Sequence, residues 1–187
     1  MEKVNIVWMK RDLRTTDHQP LQLASADGLP FLVVFLLEPG LMSLPDTSPR
    51  HIGFQYISAL QVQKKLAESG IIMWIAHADA AEFFDRIAGV VTIKKVFSYM
   101  ETGVRATWHR DKAVSSFFGA KGIAWHESER DGVRRGLISR DNWDAHLDQY
   151  LKEPIRPRVF YPQSVTLPVN PFPVSEALHR QAIQWPS

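Results

Sequence analysis

Two short stretches of this chain concentrate the residues able to do chemistry. Lys10, Arg11, Asp12, Arg14 and Asp17 fall within eight positions, directly after an apolar run that ends at Met9. Cations at the mouth of a sheet could receive an anionic ligand, because planar guanidinium groups make paired hydrogen bonds. The same residues could instead form a local network, with Asp12 and Asp17 fixing the arginines and capping the next helix. For any one residue the network is at least as good an explanation. The second stretch, Tyr99-Met100-Glu101-Thr102-Gly103, could set an aromatic, a soft apolar side chain and a carboxylate around a ring. It could equally be a plain strand-to-helix turn whose special backbone angle Gly103 supplies. The candidate binding set is therefore Met9, Lys10, Arg11, Asp12, Leu13, Arg14, Glu38, Tyr99, Met100, Glu101, Thr102 and Gly103.

Other chemistries lack support. Cys is absent, which excludes disulfides, thiolate metal sites and a cysteine nucleophile. The sequence has no GxGxxG after its first strand, no GxxxxGK[ST] and no GxSxG. Its seven histidines show no metal-ligand spacing. Asp12 with Asp17 and Glu127 with Glu129 read as caps or surface ion pairs, so an independent hydrolase is poorly supported. Trp8, Trp74 and Trp125 on strands, and Trp108 and Trp143 on helices, read as packing residues.

Elements able to position the two stretches alternate along the chain. Val4–Met9, Phe31–Leu37, Ile71–Ala76, Lys95–Met100 and Ile123–Glu127 read as strands. Phe31–Leu37 is apolar throughout, as expected of a strand buried on both faces, and Glu38-Pro39-Gly40 ends it. Thr16 or Asp17 could cap a helix over Gln19–Ala26. Ser48-Pro49 opens a helix that places Ile52, Tyr56, Ala59, Leu60, Leu66 and Ala67 on one side and stops at Gly70. Asp79 and Glu82 have capping-box spacing for a helix to Ile87, and Arg105–Phe118 is helical. The expected fold is α/β, a Rossmann-like doubly wound, five-stranded, mostly parallel sheet flanked by helices. Such a sheet places its first strand centrally and binds ligands beyond the carboxyl ends of its strands, so the loops after strands one and four wall the crevice.

Past residue 130 the pattern changes. Asn142–Leu151 could be a helix, and beyond it lie seven of the 12 prolines. That stretch reads as a linker, with no regular core element, that needs another surface to lie on. The expected division is 1–130 for the α/β domain and 131–187 for the helix and linker. Net charge is +2. Residues 105–158 carry 11 Lys/Arg against 8 Asp/Glu, among them Arg130, Arg134, Arg135, Arg140, Arg156 and Arg158. Mixed signs there favour a solvated or interdomain surface over a DNA-binding stripe. No apolar run approaches a membrane span. With no leader pattern before the first strand, the expected location is cytoplasmic and no membrane partner is expected.

Three motifs carry a family resemblance. Val7-Trp8-Met9-Lys10-Arg11-Asp12-Leu13-Arg14-Thr15-Thr16-Asp17 resembles the opening of the photolyase/cryptochrome family, with Pro20-Leu21 continuing it. Glu101-Thr102-Gly103 with Arg110-Asp111 is similar to a segment after the fourth strand in a bacterial branch. So is Trp125-His126-Glu127 followed by Gly132-Val133-Arg134-Arg135, Arg140-Asp141 and Trp143. The resemblance spans nearly the whole chain. It implies the N-terminal α/β domain of a deoxyribodipyrimidine photolyase-related flavoprotein, engaged in light-driven DNA repair or blue-light sensing. It implies FAD in an all-helical C-terminal domain that has no counterpart here, damaged DNA as a partner of the parent protein, and no catalysis by this chain alone. What the α/β domain contributes in the family is an antenna site for a deazaflavin, flavin or folate, or none. The Asn-Glu pair of folate-type members has no counterpart in Val104–His109. The other reading is a stand-alone nucleotide- or flavin-binding α/β protein without photochemistry.

Overall fold

The computed structural model describes residues 1–133, 139, 141–157 and 167–184. Arg134, Arg135, Arg140 and Arg158, singled out above, lie outside the described residues. Five strands, β1 (Lys3–Met9), β2 (Phe31–Leu37), β3 (Met73–His77), β4 (Thr92–Tyr99) and β5 (Ala124–Ser128), form one sheet in the order β3-β2-β1-β4-β5. Every pairing is parallel, so the sheet is more uniform than expected.

Period-two alternation sorts each strand between two apolar layers. Ile6, Trp8, Leu32, Val34, Trp74 and Val96 face α4 (Ala80–Ala88) and α5 (Arg105–Lys121). Val7, Met9, Val33, Phe35, Ile75 and Phe97 face α1 (Gln19–Ala26) and α3 (Pro49–Ala67). All seven residues of β2 are buried, as its unbroken apolar run requires. The chain leaves β1 toward β2 and β3 with helices on one face. It then crosses to β4 and β5 with helices on the other, so strand order reverses between β1 and β4. The crevice at such a reversal opens beyond the carboxyl ends of both strands.

Several local expectations are corrected. Helix α1 is capped by His18, whose Nδ1 accepts from the Leu21 N–H at 3.2 Å, rather than by Thr16 or Asp17. The Asp79–Glu82 box does not form, because the Asp79 carboxylate accepts from the Gly40 N–H at 2.9 Å instead. On α3 the Ser48 cap forms, but Val62 is buried where Ala67 is exposed. A one-turn helix, α2 (Pro39–Met42), follows β2. Trp108 and Trp143 are 53% and 37% exposed, so neither is a packing residue of the core.

The proline-rich tail also departs from expectation. After α6 (Trp143–Leu151), the segment at Asn170–Pro173 lies along the free edge of β3. Asn170 Nδ2 donates to the Ile75 carbonyl at 3.0 Å, and the His77 N–H donates to the Phe172 carbonyl at 2.9 Å. These bonds satisfy backbone groups that an edge strand would otherwise expose. The tail then forms α7 (Glu176–Gln184) against α3, with Ala182 fully buried and the Tyr56 hydroxyl 2.7 Å from His179 Nδ1. Prolines exclude helix only where they stand, and residues 174–184 contain none.

Candidate functional site

The buried stripe of α5 runs through Thr107, Asp111, Val114 and Phe118, and it brings a carboxylate onto the face that packs against the sheet. Asp111 is there because β1 supplies its partner. Lys10, one residue past the strand on the Trp8 side, places Nζ 3.1 Å from Asp111 Oδ2 and 3.6 Å from Glu127 Oε1. The same ammonium lies 4.6 Å and 5.0 Å from the ring centres of Trp8 and Trp125, whose faces attract a cation.

Beside it, Arg110 reaches from α5 across the mouth of the sheet to three carboxylates. Its guanidinium nitrogens lie 2.7 Å from Glu38, 2.5 Å from Glu101 and 2.8 Å from Asp111, and its centre is 4.9 Å from the Trp8 ring. Burial opposes the charge on Arg110, but the three carboxylates overcome it and raise its pKa. Burial raises the pKa of Glu38 despite the pull of Arg110. The second oxygen of Glu38 accepts from the Ala80 N–H at 3.2 Å, at the positive end of α4. Arg11 pairs with Glu101 at 3.0 Å, its side chain half in solvent.

These residues border a crevice at the β1/β4 reversal. It encloses about 560 Å³ with its open mouth, of which about 80 Å³ can be reached by the centre of a water molecule. Trp8, Leu41, Met42 and Ile52 supply apolar walls, and Arg11, Glu38, Glu101 and Arg110 the polar ones. Three cations, Lys10, Arg11 and Arg110, meet four carboxylates, Glu38, Glu101, Asp111 and Glu127. The mouth is therefore no ready anion hole, since each cation is already paired.

A family model described as DNA photolyase matches residues 5–133. The chain belongs to the DNA photolyase family. A curated relative, "Cryptochrome DASH, chloroplastic/mitochondrial" of Oryza sativa subsp. japonica, is 28% identical over an alignment of 109 residues that covers 53% of this chain and 18% of the relative. Among solved structures, a cryptochrome of Synechocystis sp. PCC6803 superposes with a TM-score of 0.71 at 16% identity, over 94% of this chain and 41% of that one. A bacterial class III photolyase from Agrobacterium tumefaciens gives 0.70 at 16% identity, over 96% and 38%. An archaeal photolyase from Sulfolobus tokodaii gives 0.65 at 20% identity, over 82% and 36%. That structure is described as holding two FAD molecules, with the implication of a novel light-harvesting cofactor. The chain thus spans less than half the length of each of these relatives, and the structural likenesses speak for the fold.

Within this photolyase-family domain the twelve candidate residues part into two groups. Met9, Lys10, Arg11, Glu38 and Glu101 line the crevice. The other seven do not. Asp12 is buried away from it, accepting from the Lys10 N–H at 2.9 Å and lying 2.6 Å from His18 Nε2. Burial works against the Asp12 charge, but the hydrogen bond and charge of His18 outweigh it and lower the pKa. Leu13 packs into the layer beneath α1 and α3. Arg14 donates twice to the Asp17 carbonyl, at 3.0 and 2.9 Å. Tyr99 accepts from the Gln19 N–H at 2.9 Å through its hydroxyl, its ring edge-on to His18, so it ties β4 to the first loop. The Met100 N–H donates to the Ser128 carbonyl, and Thr102 and Gly103 are exposed. Gly103 is needed for space and not for its backbone angle: a Cβ there would run into Thr107 Oγ1.

Arg110, Asp111, Trp8 and the α2–α3 wall were missing from the candidate set. The signal for the first two was present, because a charged residue on an otherwise buried helical stripe demands a buried partner. The α2–α3 wall left no such trace; Leu41, Met42 and Ile52 look like ordinary core residues in sequence.

Proposed function

We propose that this chain is the antenna-type α/β domain of a photolyase or cryptochrome, and that its crevice takes a planar flavin-class chromophore. When bound, such a chromophore would absorb light and pass the excitation to FAD. In the whole protein the FAD would be held by a helical domain outside this chain, where repair of damaged DNA or light signalling would take place. The observation that carries the reading is the crevice itself, an aromatic and aliphatic slot at the strand-order reversal with polar groups along one rim.

The residues fit such a ring with one adjustment. Space reachable by water is far below the ~300–1,000 Å³ of ordinary ligand pockets. Arg11, Leu41 and Thr47, however, also border an adjoining hollow of about 260 Å³ lined further by Leu44, His51 and Thr107. Outward rotation of the half-exposed Arg11 would join the two. Trp8, Leu41 and Met42 would then hold the ring, Glu38 and Glu101 would accept from ring N–H groups, and Arg11, released, would meet an anionic side arm.

Absorbance and fluorescence titration of the chain with FMN, FAD, a deazaflavin and a folate tests this. A flavin-class ligand should bind with a shifted, structured absorption band, and Leu41→Trp, which fills the slot, should abolish binding. Absence of binding by all four compounds would overturn the antenna reading while leaving the family membership intact.

A further inference from the structure

A second cavity, of about 310 Å³, opens on the other side of the Lys10 cluster, beyond the carboxyl end of β5. Its floor is the end of β5, and its walls are the start of α1, the inner side of α6 and the segment that follows it. It shares no lining residue with the crevice at the β1/β4 reversal; Lys10, on the crevice wall, lies 3.6 Å from Glu127.

Two polar atoms of this cavity lack a hydrogen bond among the described residues. Ser128 is 4% exposed and lines it, and its hydroxyl is buried without a hydrogen-bond partner among the described residues. Oε1 of Glu127, also on the wall, is buried without a hydrogen bond among the described residues, with Lys10 Nζ 3.6 Å away. Glu129 and Glu153 add two further carboxylates, the first in contact with His146. Arg156 is the one Lys or Arg among the described wall residues, and it lies 2.8 Å from Glu153 and 3.6 Å from Asp17. Tyr150 already accepts from the Asp131 N–H at 3.0 Å.

Buried acceptors without donors are rare in folded proteins and carry a desolvation penalty that a donor removes. The Glu127 carboxylate beside the Ser128 hydroxyl favours a donor that is positively charged. A hydroxyl beside a carboxylate oxygen suits a group offering two N–H bonds at once. We infer that the cavity at the end of β5 is a binding site for an organic cation with several N–H donors, a guanidinium or primary ammonium, received by Ser128 and Glu127. The cation could arrive as a small molecule or as an arginine or lysine side chain of a partner chain. The chemistry is the same for both.

Backbone-amide NMR of the whole chain, titrated with methylguanidinium chloride, tests the assignment. Saturable shifts should appear at residues 126–129 and 146–150. Tetramethylammonium, equal in charge but without N–H donors, should produce none at the same ionic strength. Ser128→Ala and Glu127→Gln should each weaken binding by about tenfold, the effect expected for one charged hydrogen bond. Ser128→Ala leaves the Lys10 pairing untouched, and an unchanged melting curve shows that the variant folds. A Gly-Arg-Gly peptide separates the two sources. Binding tighter than methylguanidinium marks a partner's side chain, and weaker or absent peptide binding marks a small molecule. Shifts that fail to saturate, an equal response to tetramethylammonium, or unaltered affinity in Ser128→Ala would each overturn the proposal.

Discussion

Lys10 and Asp12 stand two residues apart and both are almost fully buried, yet they serve different neighbours. Lys10 turns toward α5 and joins Arg110, Glu38, Glu101 and Asp111 along the rim of the crevice. Asp12 turns the other way and, with His18, Arg14, Tyr99 and Asp17, ties the loop to α1, β4 and the segment at Arg156. One side borders an open slot and holds a ring of ions around it. The other is a knot of local hydrogen bonds. A charged motif at the mouth of a parallel sheet can therefore be half site and half scaffold, and its residue types do not say which half is which.

Arg110→Leu is the harshest test of the division. It leaves three carboxylates sharing one vacated place, and the loss should reach the upper part of the ~3–5 kcal/mol expected for breaking a buried ion pair. Urea unfolding measures it, and a loss under about 1 kcal/mol would mean that the cluster is well hydrated. Asp12→Asn should cost about 1.5–3 kcal/mol, the range for a charged hydrogen bond.

Acid titration separates the two sides by sign. Asp12 has a lowered pKa, so its contribution is present above about pH 3.8 and lost as pH falls below it. Glu38 has a raised pKa, so its contribution is fully present below about pH 4.5 and lost as pH rises through the raised value. Stability measured from pH 2 to 6 should fall less steeply below about pH 3.8 in Asp12→Asn, the remaining fall coming from other carboxylates such as Asp27, whose pKa is also lowered. If the variant falls as steeply as the parent, the knot does not depend on that carboxylate.

Tyr56→Phe tests whether the tail belongs with the scaffold. Loss of the contact with His179 should cost about 1 kcal/mol and speed amide exchange in α7 ahead of α3. Uniform exchange in both helices would show that apolar packing around Ala182 holds the tail. Arg11→Ala should have the smallest effect on stability, within about 0.5 kcal/mol, because its side chain is 51% exposed. It should instead weaken the capture of any ligand with an anionic arm. A large loss of stability in this variant would move Arg11 into the scaffold half.

The five strands, their order of appearance and the parallel sheet were legible in sequence, because a strand buried on both faces, such as Phe31–Leu37, cannot hide its apolar run. The family was legible too, from the motif that begins at Val7. The helix caps were read less well. Asp79 and Glu82 have the right spacing, but Gly40, 39 residues away in sequence, claims the Asp79 carboxylate. Helix α7 was hidden by the prolines before it and by its dependence on α3.

The sequence by itself determined which segments are strands, which face of each is apolar and where the chain must turn, since these follow from the local spacing of residue types. Tertiary structure alone decided what each charge does. Lys10 meets Asp111 across 101 positions, and Arg110 meets Glu38 across 72. Such pairings arise only when the strand reversal brings the ends of β1, β2 and β4 to the head of α5. A buried charge takes whatever partner the packing presents, and spacing along the chain carries no record of that choice.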